Sequence, residues 1–522
     1  MTPEEKFSPE RIWQEYERGV NYNTELGLYD TVRQNENFFI GKQWEGVLAP
    51  DLDKPTFNIL KRVVSYFIST IASDDVSAQV SAFGDETPAT EALLRAVSAE
   101  FDRVIENNRL KAKNRDCIRD AAVDGDACLY IWYDPERAQG IFSTGEIVAE
   151  VIENTNVYFG NPQMEDIQRQ PYLLISRRVM LEEARKEAAA FGGDPDSIHA
   201  DDDPNGINRE QEHGKVTTLL RFWKQEGTVW FCKTCKDAVL RPPVNLGYKL
   251  YPLAWWCWDR VKNSYHGRSC ITGLIPNQIF INKLYAMCME HVKKMAFPKI
   301  AYNRALLPGG WSNRAGEAIP VNGDPNLALC ANLGGADMSN QVIALIEKTI
   351  SYTKDTMGAS DAALGNIRPD NTSAIIAVQK SAQMPLELQR MAFYDFIEQY
   401  IRIFLEIMRV DYGLRQVFSS DQQDENNRPL VDFSLLEYLQ LKLDVEVGAG
   451  SYWSELAQVQ TIDNLLQNGI ISDPVVYLES IPDGYIKNKA KIIAKLKQEQ
   501  EEASPPENAL SPELLQALEQ SQ

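Results

Sequence analysis

The amino-acid sequence predicts an α+β fold, and three observations carry this prediction. Apolar residues recur at helical spacing near the N-terminus, as in the segment 59–71. Between positions 146 and 259, short runs rich in Trp and Val alternate with the two-residue period of strands. Long apolar helical segments dominate from position 277 onward. The 522 residues leave room for about two to four domains and a substantial core.

The composition is that of an ordinary globular protein with an excess of acidic residues. Hydrophobic residues make up 44% of the chain and charged residues 24%. The formal net charge is −21, from 74 acidic and 53 basic residues. A protein that grips nucleic acid normally has a basic footprint, so tight DNA binding is not expected. An acidic surface suits solubility, and it also suits a conduit through which DNA slides without sticking.

Signals for membranes or secretion are not expected. The longest apolar runs, such as 63–71 and 397–408, are short or broken by charge, so no membrane span is predicted. The first ten residues lack a basic start followed by an apolar run, which argues against a secretion signal. The cysteines are scattered through a long chain, which favours reduced cytosolic thiols over a disulfide framework. They occupy positions 117, 128, 232, 235, 257, 270, 288 and 330.

The first elements in chain order are helices. One helix is predicted over 9–45 with its end near Gly41, a residue that suits the position after a helix C-terminus. A second apolar stripe lies in 55–75, and a third helix is predicted over 90–123. The tripeptide 124–126, Asp-Gly-Asp, is expected to turn that helix into a strand. The candidate buried residues of the first helix are Trp13, Tyr16, Val20, Tyr22, Leu26 and Tyr29.

Strands make up most of the following segment. Alternating or Trp- and Val-rich runs predict them, and a loop over 192–207, rich in Gly, Asp and Pro, separates them into two groups. Residues 1–275 therefore have the pattern of a mixed α+β domain. The predicted strands are 127–134, 146–152, 156–160, 171–179, 216–224, 228–233 and 251–259.

Two matched helices joined by a long excursion form the centre of the chain. The first, 277–296, is apolar over most of its circumference and therefore needs neighbours on several sides. Pro276 stands at its start, and at about 1.5 Å per residue it is roughly 30 Å long. A Pro- and Gly-rich stretch separates it from the second helix, 339–357. The residues of the second helix expected to be buried are Val342, Ile343, Leu345, Ile346 and Ile350.

A polar loop and a long helix complete this central unit. The loop covers 361–372, and the helix is predicted over 373–408, roughly 54 Å in length. Pro385 falls inside this helix and is expected to kink it, because proline removes a backbone hydrogen bond. The unit contains no nucleophile–base pair and no phosphate loop, so it indicates architecture rather than catalysis. The apolar stripe of the long helix consists of Phe393, Ile397, Tyr400, Phe404 and Met408.

The C-terminal part is predicted to be a short α/β patch followed by helices. The patch covers 414–449, and the first helix after it is expected to end at Asn468–Gly469. Asp473–Pro474 has the pattern of an N-cap followed by proline at the first helical position. A further helix is predicted over 484–502, and the last twenty residues have the composition of a linker with a short terminal helix.

Two stretches of this sequence resemble the tailed-bacteriophage portal protein family. NENFFIGKQW followed by PTFNILKRVVSYFISTI is similar to the family's opening, an aromatic turn before an Asn-containing segment that enters a helix. MGASDAALGNIRPDNTSAIIAVQKSAQ is similar to the family's passage from the second stem helix through the tunnel loop into the long helix. Each motif is short, and their order and spacing carry the match. The resemblance covers most of residues 20–500.

The resemblance implies a portal-protein fold with a mixed α/β wing, an α-helical stem, a small α/β clip and a helical crown. It assigns 1–275 to the wing, 276–297 to the first stem helix, 298–337 to the clip, 338–360 to the second stem helix, 361–375 to the tunnel loop, 376–450 to the long kinked helix and the rest of the wing, 451–502 to the crown, and 503–522 to a flexible tail.

The resemblance also implies a function without catalysis and without a cofactor. Portal proteins form rings, dodecameric in the virion, at one capsid vertex. The terminase pumps DNA through the ring and supplies the ATP hydrolysis, and the DNA later leaves by the same channel. The implied partners are further copies of the chain, the terminase large subunit, head–tail adaptors, the major capsid and scaffold proteins, and double-stranded DNA bound non-specifically. The implied location is the virion, and the host cytoplasm during assembly.

Basic and polar side chains of the central unit are the candidates for contacts with DNA. In a ring, each stem lysine repeats around the bore and offers phosphate contacts without base readout. A solvated helix face, or pairing between subunits with Glu290 and Glu347, explains the same lysines without DNA. The candidates are Lys283, Lys294, Lys348 and Lys354 on the stem, and Asn366, Arg368 and Asn371 on the tunnel loop.

Cys232 and Cys235 have the spacing of half a zinc knuckle. No second pair repeats this spacing, although Cys257, His266 and Cys270 lie downstream. The two cysteines also fall where a hairpin turn is expected, so we predict no bound metal. Two alternatives stay open: a zinc- or thiol-dependent enzyme centred on residues 230–270, and another head or scaffold component of a virion.

Overall fold

The computed structural model describes most of the chain and shows mixed helix and sheet, as the α+β prediction requires. The chain divides into two compact units, Met1–Ala72 with Ser77–Glu446, and Ser73–Val76 with Val447–Gln522. The residues that the structure describes are 7–50, 52–72, 76–82, 88–139, 143–201, 214–296, 299–310, 318–333, 340–359, 384–416, 430–447, 452–467, 474–481, 489, 492–493 and 495–496.

Helices occupy both ends and the centre of the described chain. Among these residues no helix is long and apolar enough to cross a bilayer. Apart from the single turn Pro325–Ala328, the described α-helices are, in chain order, α1 (Pro9–Glu25), α2 (Leu28–Ile40), α3 (Ile59–Ile71), α4 (Pro88–Asn107), α5 (Leu110–Asp124), α6 (Leu181–Ala190), α7 (Ile275–Ala296), α8 (Asn340–Thr356), α9 (Glu387–Ile407), α10 (Tyr452–Gln467) and α11 (Pro474–Ser480).

The seven strands predicted between positions 127 and 259 are confirmed, and the structure adds others, among them the strand Val239–Asn245. In chain order the described strands are β1 (Val76–Ala82), β2 (Asp126–Gln139), β3 (Ser143–Ile152), β4 (Val157–Phe159), β5 (Tyr172–Met180), β6 (Lys215–Gln225), β7 (Thr228–Thr234), β8 (Val239–Asn245), β9 (Leu253–Cys257), β10 (Lys299–Tyr302), β11 (Leu329–Leu333), β12 (Leu414–Gln416), β13 (Leu430–Asp432) and β14 (Leu441–Val447).

Two antiparallel sheets form the framework of the larger unit. One has the order β4-β5-β6-β7-β8 and the other β3-β2-β9. Aromatic pairs face each other across neighbouring strands, as in Phe222 opposite Phe231 and Trp223 opposite Trp230. Such cross-strand pairs stabilise a sheet by packing large apolar surfaces together. Separate two-stranded pairings join β1 to β14, β10 to β11, and β12 to β13.

The prediction of one helix over 9–45 is wrong, because the chain forms α1 and α2 with a break between them. Gly27 has φ of +67°, a left-handed conformation that ends the helical path and that glycine adopts without strain. The break turns Leu26 to solvent, where it is exposed rather than buried. Gly41 does end α2, with φ of +96°, as predicted. Tyr16 is buried and meets the ring of Tyr158 edge-on at 5.1 Å.

The predicted helix over 90–123 is also two helices, α4 and α5. Arg109 adopts φ of +51° between them. The side chain of Asn108 explains the break, because its amide donates to Ile147 O at 2.8 Å and its carbonyl accepts from Ala149 N at 2.9 Å. Helix α5 then ends at Gly125 with φ of +103°, and β2 starts at the next residue, as predicted.

Helix α9 packs against β2 and β9 and forms the centre of the core. Its predicted stripe, from Phe393 to Met408, is buried. The α-helix ends at Ile407, one residue before the predicted end, and a π-helix, Met408–Tyr412, follows it. Pro385 lies in a 3₁₀ turn, Met384–Leu386, directly before the regular helix. Residues 360–383 lie outside the described residues, so the kink at Pro385 stays a prediction.

The smaller unit contains α10 and α11. Tyr477 on α11 donates its hydroxyl hydrogen to Asp463 Oδ1 on α10 at 2.6 Å. Pro474 is the first residue of α11, as predicted. The predicted helix end at 468–469 and the tail 503–522 lie outside the described residues.

Candidate functional site

Helices α7 and α8 form an antiparallel pair, which we call the helix pair. They confirm the predicted helices 277–296 and 339–357, and Pro276 stands in the first turn of α7, where its missing N–H is not needed. Asn277 Nδ2 lies 3.4 Å from Thr353 Oγ1 and fixes the relative height of the two helices. At about 1.5 Å per residue, α7 is roughly 33 Å long and α8 roughly 25 Å.

A chain of buried amides anchors α7 to the N-terminal region. Gln278 donates to Phe57 O at 2.8 Å and to Asn282 Oδ1 at 3.0 Å. Asn282 in turn donates to Gln43 Oε1 at 2.6 Å. Asn58 caps α3 by accepting from Lys61 N at 2.9 Å, and its amide donates to the end of α2. These contacts assign a structural role to the polar residues of the aromatic N-terminal motif.

Sequence reasoning missed the buried amides of α7. The sequence predicts a helix that is apolar over most of its circumference, whereas two of its buried residues are the polar Gln278 and Asn282. The available signal was their spacing of four residues, which places both amides on one face of the helix. Buried amides need hydrogen-bond partners, and here those partners come from residues more than two hundred positions away in sequence.

The outer faces of the helix pair carry apolar residues that the described chain leaves exposed. Of the residues predicted to be buried on α8, Ile346 is buried, but Ile343 and Leu345 are 45% and 46% exposed, and that part of the prediction is wrong. Met287 on α7 is 64% exposed. Helix α8 has neighbours along one side within the described chain, mainly α7 and α3. An apolar helix with one covered side has further contact surfaces to offer.

The four candidate lysines of the helix pair differ in their surroundings. Lys294 forms an ion pair with Glu290 at 2.6 Å, one helical turn away on the same helix. Lys354 is half-buried, and Lys283 and Lys348 are exposed. Among the described residues, Lys283 and Lys348 have no ion-pair partner. This ion pair lies within one chain, so pairing between subunits stays a prediction for all four lysines.

The loop candidates Asn366, Arg368 and Asn371 lie outside the described residues, but both ends of their segment are described. Gly358 ends α8 with φ of +72°, and Ala359 N donates to Lys354 O at 3.0 Å, as in a Schellman C-cap. A Cβ atom added at Gly358 would stand 2.8 Å from Cβ of Pro385. The residue that ends α8, Gly358, therefore lies against Pro385, which stands just before α9.

Cys232 and Cys235 are both buried but do not share a cluster. Cys232 packs with Tyr16, Leu219 and other residues beneath the five-stranded sheet, whereas Cys235 packs in a separate cluster around α6. Burial raises the pKa of Cys232 to about 12 and raises the pKa of Cys235, so both thiols stay protonated near neutral pH. Among the described residues no group of three or more metal-ligating side chains converges.

A buried polar cluster near residue 266 also escaped sequence reasoning. His266 Nδ1 lies 2.6 Å from Asp126 Oδ2, and its Nε2 lies 3.1 Å from Asn23 Oδ1. Gly267 N donates to Asp126 Oδ1 at 2.6 Å. Burial, reinforced by the negative charge of Asp126, holds the pKa of the Cys257 thiol well above its usual range. The cluster ties α1 to β2 and to the turn after β9, and it presents no activated nucleophile.

Comparison with known proteins identifies the family. A search of curated proteins finds no match. The family model of the phage P22-like portal protein matches residues 209–522, which include the helix pair, the excursion between its helices and the C-terminal unit. This match spans more than half of the chain and confirms the resemblance to portal proteins. It includes the second of the two sequence motifs, residues 357–383, whereas the first motif lies before the matched residues. The chain therefore belongs to the phage P22-like portal protein family.

Proposed function

We propose that the chain forms a dodecameric ring at one capsid vertex and that genomic DNA is packaged and ejected through the central channel. Family membership supports a structural, capsid-associated ring oligomer. The chain contributes shape and contact surfaces, while the terminase large subunit supplies ATP hydrolysis. The ring acts in the virion after assembling in the host cytoplasm with the capsid and scaffold proteins.

The exposed apolar residues of the helix pair carry this proposal. Phe280 and Met287 on α7, and Ile343, Leu345 and Tyr352 on α8, are each more than two-fifths exposed. A ring in which each subunit contacts two neighbours covers both flanks of such a pair and removes these side chains from water. Apolar surface of this kind is costly on a free subunit and useful at an interface.

Within each subunit we assign a separate role to each part of the chain. The helix pair serves as the stem, and the excursion between α7 and α8 serves as the clip on which the terminase and later the head–tail adaptors dock. We assign residues 361–375, which lie outside the described residues, to the tunnel loop, and residues 451–502 to the crown. Residues 1–275 and 376–450 form the wing.

Contacts with DNA are proposed to be few and non-specific. The net charge of −21 disfavours a uniformly attractive channel, which would hold DNA instead of letting it move. Lysines of the helix pair and Arg368 of the loop are the candidates for phosphate contacts, and in a ring each of them repeats around the bore. Such contacts position the duplex without reading its sequence.

Mass photometry with negative-stain imaging tests the ring. We expect particles of about twelve chain masses with a central hole, the chain itself being 59.0 kDa. A monomer or dimer at micromolar concentration would refute the proposal.

Deletion of the clip tests the docking role proposed for the excursion between α7 and α8. Lys299 and Leu333 are paired across β10 and β11, so the two ends of the excursion lie side by side. Replacing residues 300–336 by a short glycine linker is expected to leave rings intact and to abolish binding of the terminase and adaptors. Loss of the ring itself in this variant would show that the excursion belongs to the assembly interface.

A further inference from the structure

Helix α7 carries one continuous exposed stripe of alternating apolar and charged residues. The stripe consists of Phe280, Lys283, Met287 and Glu290, spaced three or four positions apart and therefore aligned along one face. Phe280 is 42% exposed, and the two charged residues are exposed as well. This face points away from the side of α7 that holds the buried Gln278 and Asn282.

Helix α8 carries a flank with the same spacing. Ile343, Glu347 and Ile350 follow each other at intervals of four and three residues. Ile343 and Glu347 are exposed and Ile350 is half-buried. Along the axis of the helix pair, both helices therefore present an apolar, a charged and an apolar residue in the same order.

The Asn277–Thr353 contact aligns the two helices, so heights along the helix pair can be counted from it for the α7 stripe and the α8 flank. Lys283 lies six residues after Asn277, and Glu347 lies six residues before Thr353, so both stand about 9 Å from that contact. By the same count Phe280 and Ile350 share a height about 4.5 Å from it, and Met287 and Ile343 share one about 15 Å from it. Apolar residues are thus level with apolar residues, and the lysine is level with the glutamate.

The opposite flank of α8 does not match in this way. Leu345, Lys348 and Tyr352 stand level with Tyr285, Asn282 and Gln278 of α7. The latter two are buried within their own chain, and Tyr285 is half-buried with its ring tilted by 37° against that of Phe57, the ring centroids 4.3 Å apart. The α7 residues at the same heights as that flank are therefore not accessible to a second copy of the chain.

We infer that the exposed stripe of α7 packs against the Ile343–Ile350 flank of α8 in a second copy of this chain. Phe280 meets Ile350, Met287 meets Ile343, and Lys283 forms an ion pair with Glu347 of the neighbouring copy. The inference rests on the proposed ring, because rotation about a ring axis brings neighbours together without a shift in height. Where the helices run along the ring axis, residues at equal heights on neighbouring copies then meet.

The inference separates the lysines of the stem into two groups. Lys283 is engaged between subunits and is not available to DNA, while Lys348, on the other flank of α8, is left for the channel. Within one chain Lys283 and Glu347 are exposed and form no ion pair among the described residues, which leaves both side chains available to a neighbouring copy. The interface is heterologous, since each copy presents the α7 stripe on one side and the α8 flank on the other.

Charge reversal tests the pair. Lys283→Glu and Glu347→Lys each replace an attraction by a repulsion at every interface, and about a fivefold weaker contact per interface is expected to deplete rings in mass photometry. The double variant restores the attraction and is expected to restore the rings. Lys348→Glu makes the same charge change on the opposite flank and should leave ring formation unchanged. Intact rings in both single variants would overturn the pairing.

A disulfide cross-link tests the geometry independently. Met287→Cys with Ile343→Cys, in a Cys288→Ser background, is expected to give a ladder of covalently linked subunits under mild oxidation. Met287→Cys with Leu345→Cys serves as the matched control and should give monomer. A ladder of equal strength in the control, or monomer in both, would overturn the proposed packing.

The outcomes also separate this inference from the proposed function. Rings in the wild-type chain that persist in both charge-reversal variants and give no cross-link ladder would refute the interface and leave the ring standing. A wild-type chain that forms no ring would refute the proposed function itself.

Discussion

Replacing Asn282 by alanine is expected to loosen the anchor between α7 and the N-terminal region. The substitution removes the donor that Gln43 Oε1 accepts from at 2.6 Å and the acceptor of Gln278 Nε2 at 3.0 Å. Gln278 keeps its bond to Phe57 O, so Gln43 Oε1 is the group left without a described partner. An unsatisfied buried polar group costs about 1–3 kcal/mol, and about 2 kcal/mol is the expected local loss.

Hydrogen exchange followed by mass spectrometry measures this loss where it occurs. A local destabilisation of about 2 kcal/mol corresponds to about thirtyfold faster exchange through local opening. We expect this acceleration in peptides covering residues 41–60, which include the Ile59 amide that donates to Gln278 Oε1. Peptides from β6 and β7 should exchange at the wild-type rate, because those strands lie outside the amide chain.

The control for this experiment is Asn340→Ala, which makes the same chemical change at an exposed position on α8. It is expected to leave exchange in residues 41–60 unchanged. Equal exchange rates in the Asn282 variant and in this control would refute the reasoning, since the buried amides would then contribute nothing to the anchoring of α7.

Three further predictions concern pH, DNA and the base of the loop. Burial raises the pKa of Asp124 to about 8, so its ionisation opposes folding increasingly as pH rises from about 4 to 8; Asp124→Asn should raise the thermal midpoint at pH 9 and change it little at pH 4. Arg368→Ala should leave ring assembly intact and alter DNA packaging in an in vitro assay, and failure of assembly would show a structural role. Gly358→Ala should lower the free energy of unfolding by more than the roughly 1–2 kcal/mol that left-handed strain alone costs, because its Cβ also meets Pro385. Gly192→Ala, where φ is +80° and the space is open, is the control in thermal unfolding. Equal losses in the two variants would contradict the contact with Pro385.

Local patterns in the sequence determined which elements exist and where several of them end. The period of apolar residues predicted α7, α8 and the strands of both sheets except β8, because secondary structure is fixed largely by which face is apolar. Gly41, Gly125 and Pro474 marked element ends because their backbone requirements are local. The order of the motifs also sufficed to predict the portal family.

The tertiary structure decided what the elements contact. The amide of Asn108 divides a predicted helix in two because strand β3 supplies its partners, and no local pattern records that partner. Gln278 is buried for the same reason, since residues near position 58 accept and donate its hydrogen bonds. Periodicity identifies the apolar residues Ile343 and Met287, but only the arrangement of all elements reveals that one chain leaves them exposed. Burial depends on neighbours that are distant in sequence, and we propose that for these two residues the neighbour is a second copy of the chain.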